Sequence, residues 1–477
     1  MNSTLKIDES SYRFFCYTIL KEEYYMQNTL QEALSLRLKA IDYAARHCGW
    51  IITLYNKNKT LGYNTKTKLN NCKAARQEAG QINIREIFEK YWKDFYTLFN
   101  KRLTRKSIID NVEAMLGCGK FENGYLFFEC PNRDCPNFHL QAFTCKSRFC
   151  QSCGKKYNDE RVLEISKKCL DVKHRHIVFT IPKELRNYIQ KDRSLIDCLF
   201  EAVNNTLTFM ASKRSKHKKY KFGFICTLHT FGRDLKFNPH IHVLIAECVI
   251  DKNGNQVPHT HFHYEQLRKS FQKSLLDFFS KKIKSKEFKV LKNNLYNRLD
   301  NGFYVYAPSI KSINNNDNKT LIQYVVRYAG HPAISESRIT NIDYKNNNIS
   351  YYYDPHEDDN IDDEDLKLGR QFVTEHIYNF IAKLIVHIPE NGKHNIRYYG
   401  FYANKSKRMK INKYKKYKKL YTSKQLAKMR KELLWRNNIL KSFDYDILMC
   451  DYCGETLDLV PDMCFIPPTY RRRSSYG

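Results

Sequence analysis

Hydrophobic residues recur along the chain at two spacings, which predict where helices and strands alternate. Apolar positions three and four residues apart predict helices over 1–56, 83–116, 155–170, 184–212 and 264–284. Short apolar or alternating runs predict strands in HIVFTI (176–181), FGFICTLHTF (222–231) and FNPHIHVLIAE (237–247). A turn near residues 232–234 joins the last two strands. This order predicts an α+β fold in which helices lie on one side of an antiparallel sheet.

The third predicted strand carries His240 and His242 with Ile241 between them. Because strand side chains alternate between faces, both imidazoles point to one face and Ile241 points to the other. Two histidines on one face of a buried strand form half of a metal site, although a pair of hydrogen-bonded core histidines is the alternative. His229, on the neighbouring strand, is the predicted third ligand, because a hairpin would bring it opposite the pair. Structural packing is the alternative for His229.

Two other histidine-rich segments carry a weaker signal. HRH at 174–176 has a charged residue at its centre. HTHFH at 259–263 follows a turn and precedes a helix, with no apolar strand behind it. We interpret the second segment as a solvated edge.

The overall charge indicates a polyanionic partner. The 477-residue chain has 81 Lys and Arg against 50 Asp and Glu, a formal net charge of +31, which suits nucleic acid. Its 14% aromatic content suits stacking on unpaired bases. Neither an apolar run of ~18 residues nor a signal-peptide pattern is present, so we expect no membrane span and a cytoplasmic protein. Its 16 cysteines are then thiols or metal ligands rather than disulfides.

Paired cysteines predict a structural zinc site. Cys130 and Cys135 are followed, after 14 residues, by Cys150 and Cys153, a spacing typical of a tetrahedral Zn²⁺ site. Further candidates for this site are Cys118, Cys145 and His139. The residues expected to contact DNA beside it are Lys146, Arg148, Lys155 and Lys156. A possible second zinc site comprises Cys450, Cys453 and Cys464, with no evident fourth ligand.

Together these motifs resemble the HUH-type rolling-circle transposases of bacterial insertion sequences, of the two-tyrosine type with an N-terminal zinc-binding domain. The resemblance covers about residues 83–408. Its most specific blocks are FTCKSRFCQSCGKKY, HRHIVFTIPKELR, TLHTFGRDLKFNPHIHVL and QYVVRYAGHPAISESRI. It implies nicking and rejoining of DNA through a 5′-phosphotyrosine, with catalytic Mg²⁺ or Mn²⁺ at the histidine pair. It also implies single-stranded or hairpin element ends as partners and association with the bacterial nucleoid.

Three tyrosine pairs share the spacing that such a nucleophile pair requires: Tyr324/Tyr328, Tyr398/Tyr402 and Tyr417/Tyr421. The first lies in LIQYVVRYAGHP, which reads as a short helix ended by Gly330 and Pro332. Residues four apart share a helix face, so both phenols could enter one site. This pair also follows the His-x-His strand in the order that the family shows. Tyr328 and Tyr324 are therefore the predicted catalytic residues.

The predicted domains are a helical N-terminal extension (1–80), a zinc-binding, DNA-binding module (83–160), a catalytic HUH domain (170–355) and a basic C-terminal region (370–477). Two other functions remain open. A plasmid replication initiator or relaxase would use the same chemistry on another substrate. A non-catalytic zinc-ribbon DNA-binding protein would use the histidine pair for structure only.

Overall fold

The computed structural model describes residues 82–135, 137–213, 217, 219–251, 253–306, 333–355, 369–403, 418–434, 436–437, 440 and 446–466. Several predictions lie outside these residues: the N-terminal helices before residue 81, Tyr324 and Tyr328, Tyr417, and the side chains of Lys155 and Lys156. None of the helices within the described ranges is long and apolar enough to cross a membrane.

The α-helices of the described residues are α1 Ile84–Phe99, α2 Lys106–Leu116, α3 Gln151–Ser166, α4 Lys183–Lys191, α5 Ile196–Lys213, α6 Tyr264–Lys282, α7 Lys286–Arg298, α8 Ile377–Ile385 and α9 Ser423–Glu432. The strands are β1 Tyr125–Glu129, β2 Phe138–Ala142, β3 His174–Thr180, β4 Lys221–Phe231, β5 Phe237–Ile250, β6 Gln256–Pro258, β7 Val305–Tyr306, β8 Ile339–Asp343, β9 Asn348–Tyr353, β10 Gln371–His376, β11 Ile396–Gly400 and β12 Asp458–Leu459.

The chain forms two compact units. The larger comprises residues 82–116 and 146–434, and the smaller includes residues 117–145 and 435–477. These units differ from the predicted domains, because the stretch 83–160 is divided between them and residues 446–466 belong with the smaller one.

The larger unit is built on a six-stranded antiparallel sheet. Its strands follow the order β11-β4-β5-β3-β7, and β6 pairs with the end of β5. The predicted turn joins β4 to β5, where the Gly232 amide donates to the Lys236 carbonyl oxygen at 3.1 Å. The Asp234 carboxylate accepts from the Lys236 amide at 3.0 Å and stabilises the turn. The mixed α+β architecture with an antiparallel sheet is thus confirmed.

One face of this sheet forms the main core. Ile177, Phe179, Ile241, Val243 and Ile245, which alternate with the histidines along β3 and β5, are fully buried there. Apolar residues of α4, α5, α6 and α7 cover this face. The predicted single helix over 184–212 is two helices, because the Asp192 side chain accepts from the Ser194 amide and starts a new turn.

The opposite face is only partly covered by helix. Ile165 at the end of α3 packs with Leu170, Leu244 and Ala246, together with Phe401 and Tyr402 after β11. The prediction that helices lie on one side of the sheet is therefore incomplete, since α3 contributes to the second face. A separate three-stranded sheet, β10-β9-β8, follows in the same unit, and α8 packs against it.

The smaller unit is built on a three-stranded antiparallel sheet of order β12-β1-β2. β1 and β2 form a hairpin that pairs Tyr125 with Ala142 at one end and Glu129 with Phe138 at the other. β12 pairs Phe128 with Leu459, so the third strand comes from the far end of the chain.

Candidate metal centres

The β4–β5 hairpin brings together the three histidines that the sequence predicts as metal ligands. His229 on β4 pairs directly with His240 on β5. Directly opposed residues share a sheet face, and His242 lies two residues further along the same face. One ring nitrogen of each of these histidines lies within 4.8 Å of the others. His229 and His242 are buried, with 5% and 8% of their surface exposed, and His240 is half-buried.

The backbone sets the tautomer of His240. Its Nδ1 lies 2.7 Å from the Asn238 carbonyl oxygen, which can only accept, so Nδ1 carries the proton and donates. The Nε2 lone pair then points to the Nε2 of His242, at 2.9 Å. A neutral imidazole with a free Nε2 lone pair is the form that binds a metal ion.

A fourth histidine, His176 on β3, completes the cluster. Its Nε2 lies 2.8 Å from His242 Nδ1, and the two rings are nearly parallel at 6° with centroids 5.0 Å apart. If His242 Nε2 held a metal ion, Nδ1 would carry the proton and would donate a hydrogen bond to His176 Nε2. The sequence alone does not indicate this role, because the charged residue at the centre of HRH is not typical of a metal-site strand. Strand alternation places His174 and His176 on the histidine face, but only the β3–β5 register shows which of them reaches His242.

The central arginine of HRH points away from this cluster. Arg175 donates to the Glu247 carboxylate at 2.7 Å, and both side chains are buried. The HTHFH segment lies outside any strand. His261 and His263 are exposed, as predicted, whereas His259 is half-buried against Phe222 and Phe262.

Burial favours the neutral forms of His176, His240 and His242. It lowers the pKa of His240 to about 4, and it lowers the pKa of His176 to about 4 with a further contribution from His240. Burial, followed by the neighbouring His229 and His240, lowers the pKa of His242 well below its usual value. Neutral imidazoles near pH 7 offer lone pairs rather than charges, so this set of nitrogen donors fits a divalent transition-metal ion.

The described tyrosines of the competing pairs have structural surroundings. Tyr398 lies on β11, paired with Ile225, and burial raises its pKa to about 12. Tyr402 is buried, and its hydroxyl oxygen lies 2.8 Å from His174 Nε2 and 3.2 Å from the Leu170 amide, which donates to it. This pair therefore lies on a strand and the turn after it, and does not share a helix face. Tyr421 is also buried.

The cysteines of the smaller unit form a four-thiol cluster that differs from the predicted site. The sulfur atoms of Cys130, Cys135, Cys450 and Cys453 all lie within 4.8 Å of one another. Cys130 Sγ is 3.3 Å from Cys453 Sγ, and Cys135 Sγ is 3.5 Å from Cys450 Sγ. Disulfides require about 2.05 Å, whereas four thiolates around a zinc ion at Zn–S of about 2.3 Å stand roughly 3.8 Å apart. The cluster fits Zn²⁺.

Two sequence-based ligand sets are thereby corrected. The predicted set of Cys130, Cys135, Cys150 and Cys153 is wrong in its second half, because Cys450 and Cys453 fill those positions. Cys150 and Cys153 lie in the larger unit, buried at the start of α3.

The set of Cys450, Cys453 and Cys464 is also wrong in one member. Cys464 Sγ instead accepts from the Phe127 amide at 3.3 Å and packs with the hydrophobic residues of β1. Sequence spacing could not reveal these pairings, because the partners in the cluster are more than 300 residues apart.

Hydrogen bonds prepare Cys450 to be a thiolate. Burial alone raises the pKa of Cys450, but donation from the Asn137 side chain and from the amides of Cys453 and Tyr452 outweighs it and lowers the pKa to about 6. The Asn137 amide nitrogen lies 3.2 Å from Cys450 Sγ. Gly454 closes this knuckle with a φ of 75°, a left-handed conformation that glycine adopts without strain.

The residues predicted to contact DNA differ in exposure. Lys146 is exposed, with a left-handed backbone at φ 55°. Arg148 is half-buried, and its guanidinium lies 5.3 Å from the centre of the Tyr157 ring. Of the two, Lys146 is the one that presents its charge to solvent.

Comparison with known proteins gives a consistent picture. A family model described as a putative transposase matches residues 223–410, and one described as a transposase zinc-binding domain matches residues 87–181. The chain is 28% identical over 306 residues to the transposase for insertion sequence element IS801 of Pseudomonas savastanoi pv. phaseolicola, which covers 62% of this chain and 70% of that protein. It is 25% identical over 322 residues to the putative transposase y4qJ of Sinorhizobium fredii, which covers 63% of this chain and 72% of that protein. No solved structure matches significantly.

The two matched regions define the class as a DNA-processing transposase with a zinc-binding domain. Both matched regions and both relatives support the resemblance to transposases of bacterial insertion sequences that carry this zinc-binding domain before the transposase domain. The recognition made from the sequence motifs is thus confirmed. The β4–β5 hairpin with its histidines lies inside the region matched as transposase, whereas Cys450 and Cys453 lie outside both matched regions.

Proposed function

We propose that this transposase nicks and rejoins single-stranded DNA in rolling-circle-type transposition. Tyr328 and Tyr324 are the proposed nucleophiles, and His229, His240 and His242 hold a divalent metal ion. The convergence of three imidazole nitrogens on the β4–β5 hairpin carries this proposal. A histidine pair that served structure alone would not require a third imidazole on the neighbouring strand. It would also not require the Asn238 carbonyl oxygen to accept from His240 Nδ1, which leaves the Nε2 lone pair of His240 pointing into the cluster.

Each strand of the sheet has a distinct role in this site. β5 provides His240 and His242 on one face, and β4 provides His229 opposite them. β3 provides His176, which orients the ring of His242 through its Nδ1. Because these strands are central and their other face is packed by helices, the donor atoms are held on a rigid support.

The choice of metal follows from the donor atoms. Mg²⁺ is a hard ion that prefers oxygen ligands, whereas Mn²⁺ accepts nitrogen ligands more readily. The three imidazole nitrogens therefore favour Mn²⁺ over Mg²⁺ as the ion of this site. When bound, the ion polarises the scissile phosphate and stabilises the leaving oxygen.

The proposed chemistry is a transesterification. The phenol of Tyr328 or Tyr324, with an ordinary pKa near 10, is a poor nucleophile until the phosphate is activated. Its oxygen bonds to phosphorus as the P–O3′ bond breaks, and the phenolic proton is lost while the 3′-oxygen leaves as a hydroxyl. A later 3′-hydroxyl attacks the phosphotyrosine and restores the phenol. The bond energy is conserved, so rejoining needs no ATP, and two tyrosines allow two successive transfers.

The charge distribution supports a single-stranded or hairpin DNA substrate at the element ends. The net charge of +31 favours contact with phosphates, and the aromatic residues suit stacking on unpaired bases. Lys146 is the exposed cation proposed for this contact beside the zinc-binding region. A plasmid replication initiator or relaxase would share the nuclease chemistry, but the transposase relatives favour transposition.

The decisive experiment incubates the full-length protein with labelled single-stranded oligonucleotides from both ends of its own element, with Mn²⁺, with Mg²⁺ or with EDTA. We expect strand cleavage and a covalent protein–DNA adduct with Mn²⁺, less with Mg²⁺ and none with EDTA. Peptide mapping of the adduct should identify Tyr328 or Tyr324. Binding of these oligonucleotides without cleavage under every metal condition would favour a non-catalytic zinc-ribbon protein instead.

A further inference from the structure

We propose that the end of the chain completes the zinc site of the smaller unit, so that one Zn²⁺ is held by Cys130 and Cys135 together with Cys450 and Cys453. The region matched as a transposase zinc-binding domain ends at residue 181 and contains only the first two of these ligands. The other two lie in a segment, residues 446–466, that follows both matched regions.

The thiol arrangement shows that neither half of the cluster is complete alone. Two sulfur separations, of 3.3 and 3.5 Å, each join one cysteine of the first half to one of the second, Cys130 to Cys453 and Cys135 to Cys450. These residues are 323 and 315 positions apart in the chain. Four thiols from two short knuckles are the donor set of a closed structural zinc site.

Backbone pairing supports the same arrangement independently of the sulfur atoms. β12 adds to the edge of β1, with Phe128 opposite Leu459 and Glu129 opposite Asp458. Further along, Tyr125 and Phe465 exchange two backbone hydrogen bonds of 2.9 and 3.1 Å. The segment 446–466 is thus a part of the small sheet, and it arrives with its knuckle beside Cys130.

The loops around the thiols are shaped to hold them. The Cys135 amide donates to the Asn132 carbonyl oxygen at 2.9 Å, which folds the wider first knuckle. The Gly454 amide donates to the Cys450 carbonyl oxygen at 2.9 Å in the second knuckle. The Asn137 side chain donates from the first half to the sulfur of Cys450 in the second, an outer contact of the kind that orients metal ligands.

The small unit has few other sources of stability. The buried residues of this unit form two small clusters, one of Phe128, Cys130, Cys450 and Leu457 around the thiols and one of Tyr125, Phe127 and Leu140. A core of this size does not support a stable fold without a metal or a comparable cross-link. Zinc binding therefore links residues 130–135 to residues 450–453, and the zinc site can form only after residues 446–466 have been synthesised.

The test uses the full-length protein, purified with zinc, and measures two quantities in each variant. Zinc content is determined by elemental analysis, and the protection of each cysteine from alkylation is determined by peptide mass spectrometry. Cys450→Ser should lower the zinc content by up to one ion per chain and expose Cys130 and Cys135 to alkylation. Cys464→Ser is the matched control, since Cys464 lies in the same segment but outside the cluster, and it should change neither quantity.

A second measurement does not depend on how a variant folds. In the unmodified protein, stepwise removal of zinc by a chelator should expose Cys130, Cys135, Cys450 and Cys453 together. Full protection of Cys130 and Cys135 and unchanged zinc content in Cys450→Ser would overturn the proposal. The proposal would also be overturned if, in the native protein, Cys450 and Cys453 became exposed to alkylation at zinc levels that still protect Cys130 and Cys135.

Discussion

His176 and His242 face each other across the β3–β5 pair, with 2.8 Å between Nε2 of the first and Nδ1 of the second and rings inclined by only 6°. This contact links a proposed metal ligand to a histidine that does not belong to the His-x-His motif. It makes His176 a positioning residue for His242, because the partner of Nδ1 determines which nitrogen is left for the metal.

We expect His176→Ala to weaken metal binding rather than the chemical step. Loss of the acceptor leaves the Nδ1 proton of His242 without this partner, which for outer contacts typically lowers metal affinity about 10–100-fold. The Mn²⁺ concentration for half-maximal cleavage should rise accordingly, while the rate at saturating Mn²⁺ changes little. His176→Gln, whose amide oxygen can accept, should restore part of the affinity. His263→Ala, which alters an exposed histidine, is the control. An unchanged Mn²⁺ requirement in His176→Ala would assign His176 to packing alone.

Substitution of the proposed ligands should separate cleavage from DNA binding. His240→Ala or His242→Ala removes a nitrogen donor, so cleavage of the oligonucleotide should be lost, and His229→Ala should reduce it severely. Affinity for the same oligonucleotide, measured by fluorescence anisotropy, should stay within a few-fold of the native value. Cleavage at the native rate by the double variant of His240 and His242 would exclude the metal site. A mild effect of His229→Ala would leave that residue with a structural role.

The tyrosine nucleophiles can be tested by removing a single oxygen each. Tyr328→Phe should abolish or strongly reduce the covalent adduct without unfolding the protein, because the ring is retained. Tyr324→Phe should allow the first nick and block the second transfer, measured as loss of joined product. Adduct yield on denaturing gels and circular dichroism of each variant provide the measurements. A normal adduct yield in the double Phe variant would show that another residue attacks.

Tyr402→Phe, unlike the variants of Tyr324 and Tyr328, should lower the stability of the protein and leave the covalent adduct unaffected. The Tyr402 hydroxyl lies 2.8 Å from His174 Nε2 and accepts from the Leu170 amide, all within a buried region. Removing it leaves buried polar groups without this partner and should lower the free energy of unfolding by about 1–3 kcal/mol. Urea denaturation measures this loss, and the adduct yield at low temperature should be unchanged. Loss of the adduct from a folded Tyr402→Phe protein would reopen the choice between the tyrosine pairs.

Stability should fall in mild acid because buried histidines must remain neutral. Burial lowers the pKa of His174 to about 4 and that of His387 to about 3, both below the ordinary value of 6.5. As the pH falls below 6.5, these histidines therefore become protonated in the unfolded chain before they do so in the folded protein. Between pH 6.5 and its folded pKa, each histidine lowers the free energy of unfolding by up to about 1.4 kcal/mol per pH unit. Above pH 6.5 these two groups cause no further change.

Urea denaturation at pH 7.5, 6.5 and 5.5 measures this dependence. His387→Gln should reduce the slope below pH 6.5, because Nδ1 of His387 lies 3.2 Å from the Thr230 hydroxyl and its Nε2 donates to the Leu235 carbonyl oxygen in the neutral form. The exposed variant His261→Ala should keep the native slope. A stability that is independent of pH between 7.5 and 5.5 would contradict the neutral state of these buried histidines.

Local pattern was enough to predict the three strands β3, β4 and β5, the turn between β4 and β5, and the shared face of His240 and His242. These features depend on interactions between residues close in the chain, namely the alternation of side chains along a strand and the turn-forming Gly232 and Asp234. The hairpin also made His229 predictable, because a short turn determines which residues of its two strands lie opposite each other.

Only the tertiary structure decided which distant residues meet. The HRH segment could be predicted as the start of a strand, but the register of β3 against β5, which places His176 beside His242, depends on packing of the whole sheet. The cysteine spacing predicted zinc, yet it could not pair Cys130 and Cys135 with thiols more than 300 residues away. The sequence by itself determined which residue types can bind a metal and which face of a strand each one occupies, because both follow from the order of residues along the chain. The tertiary fold decided the partners, because long-range pairing depends on the summed packing of elements that no local pattern contains.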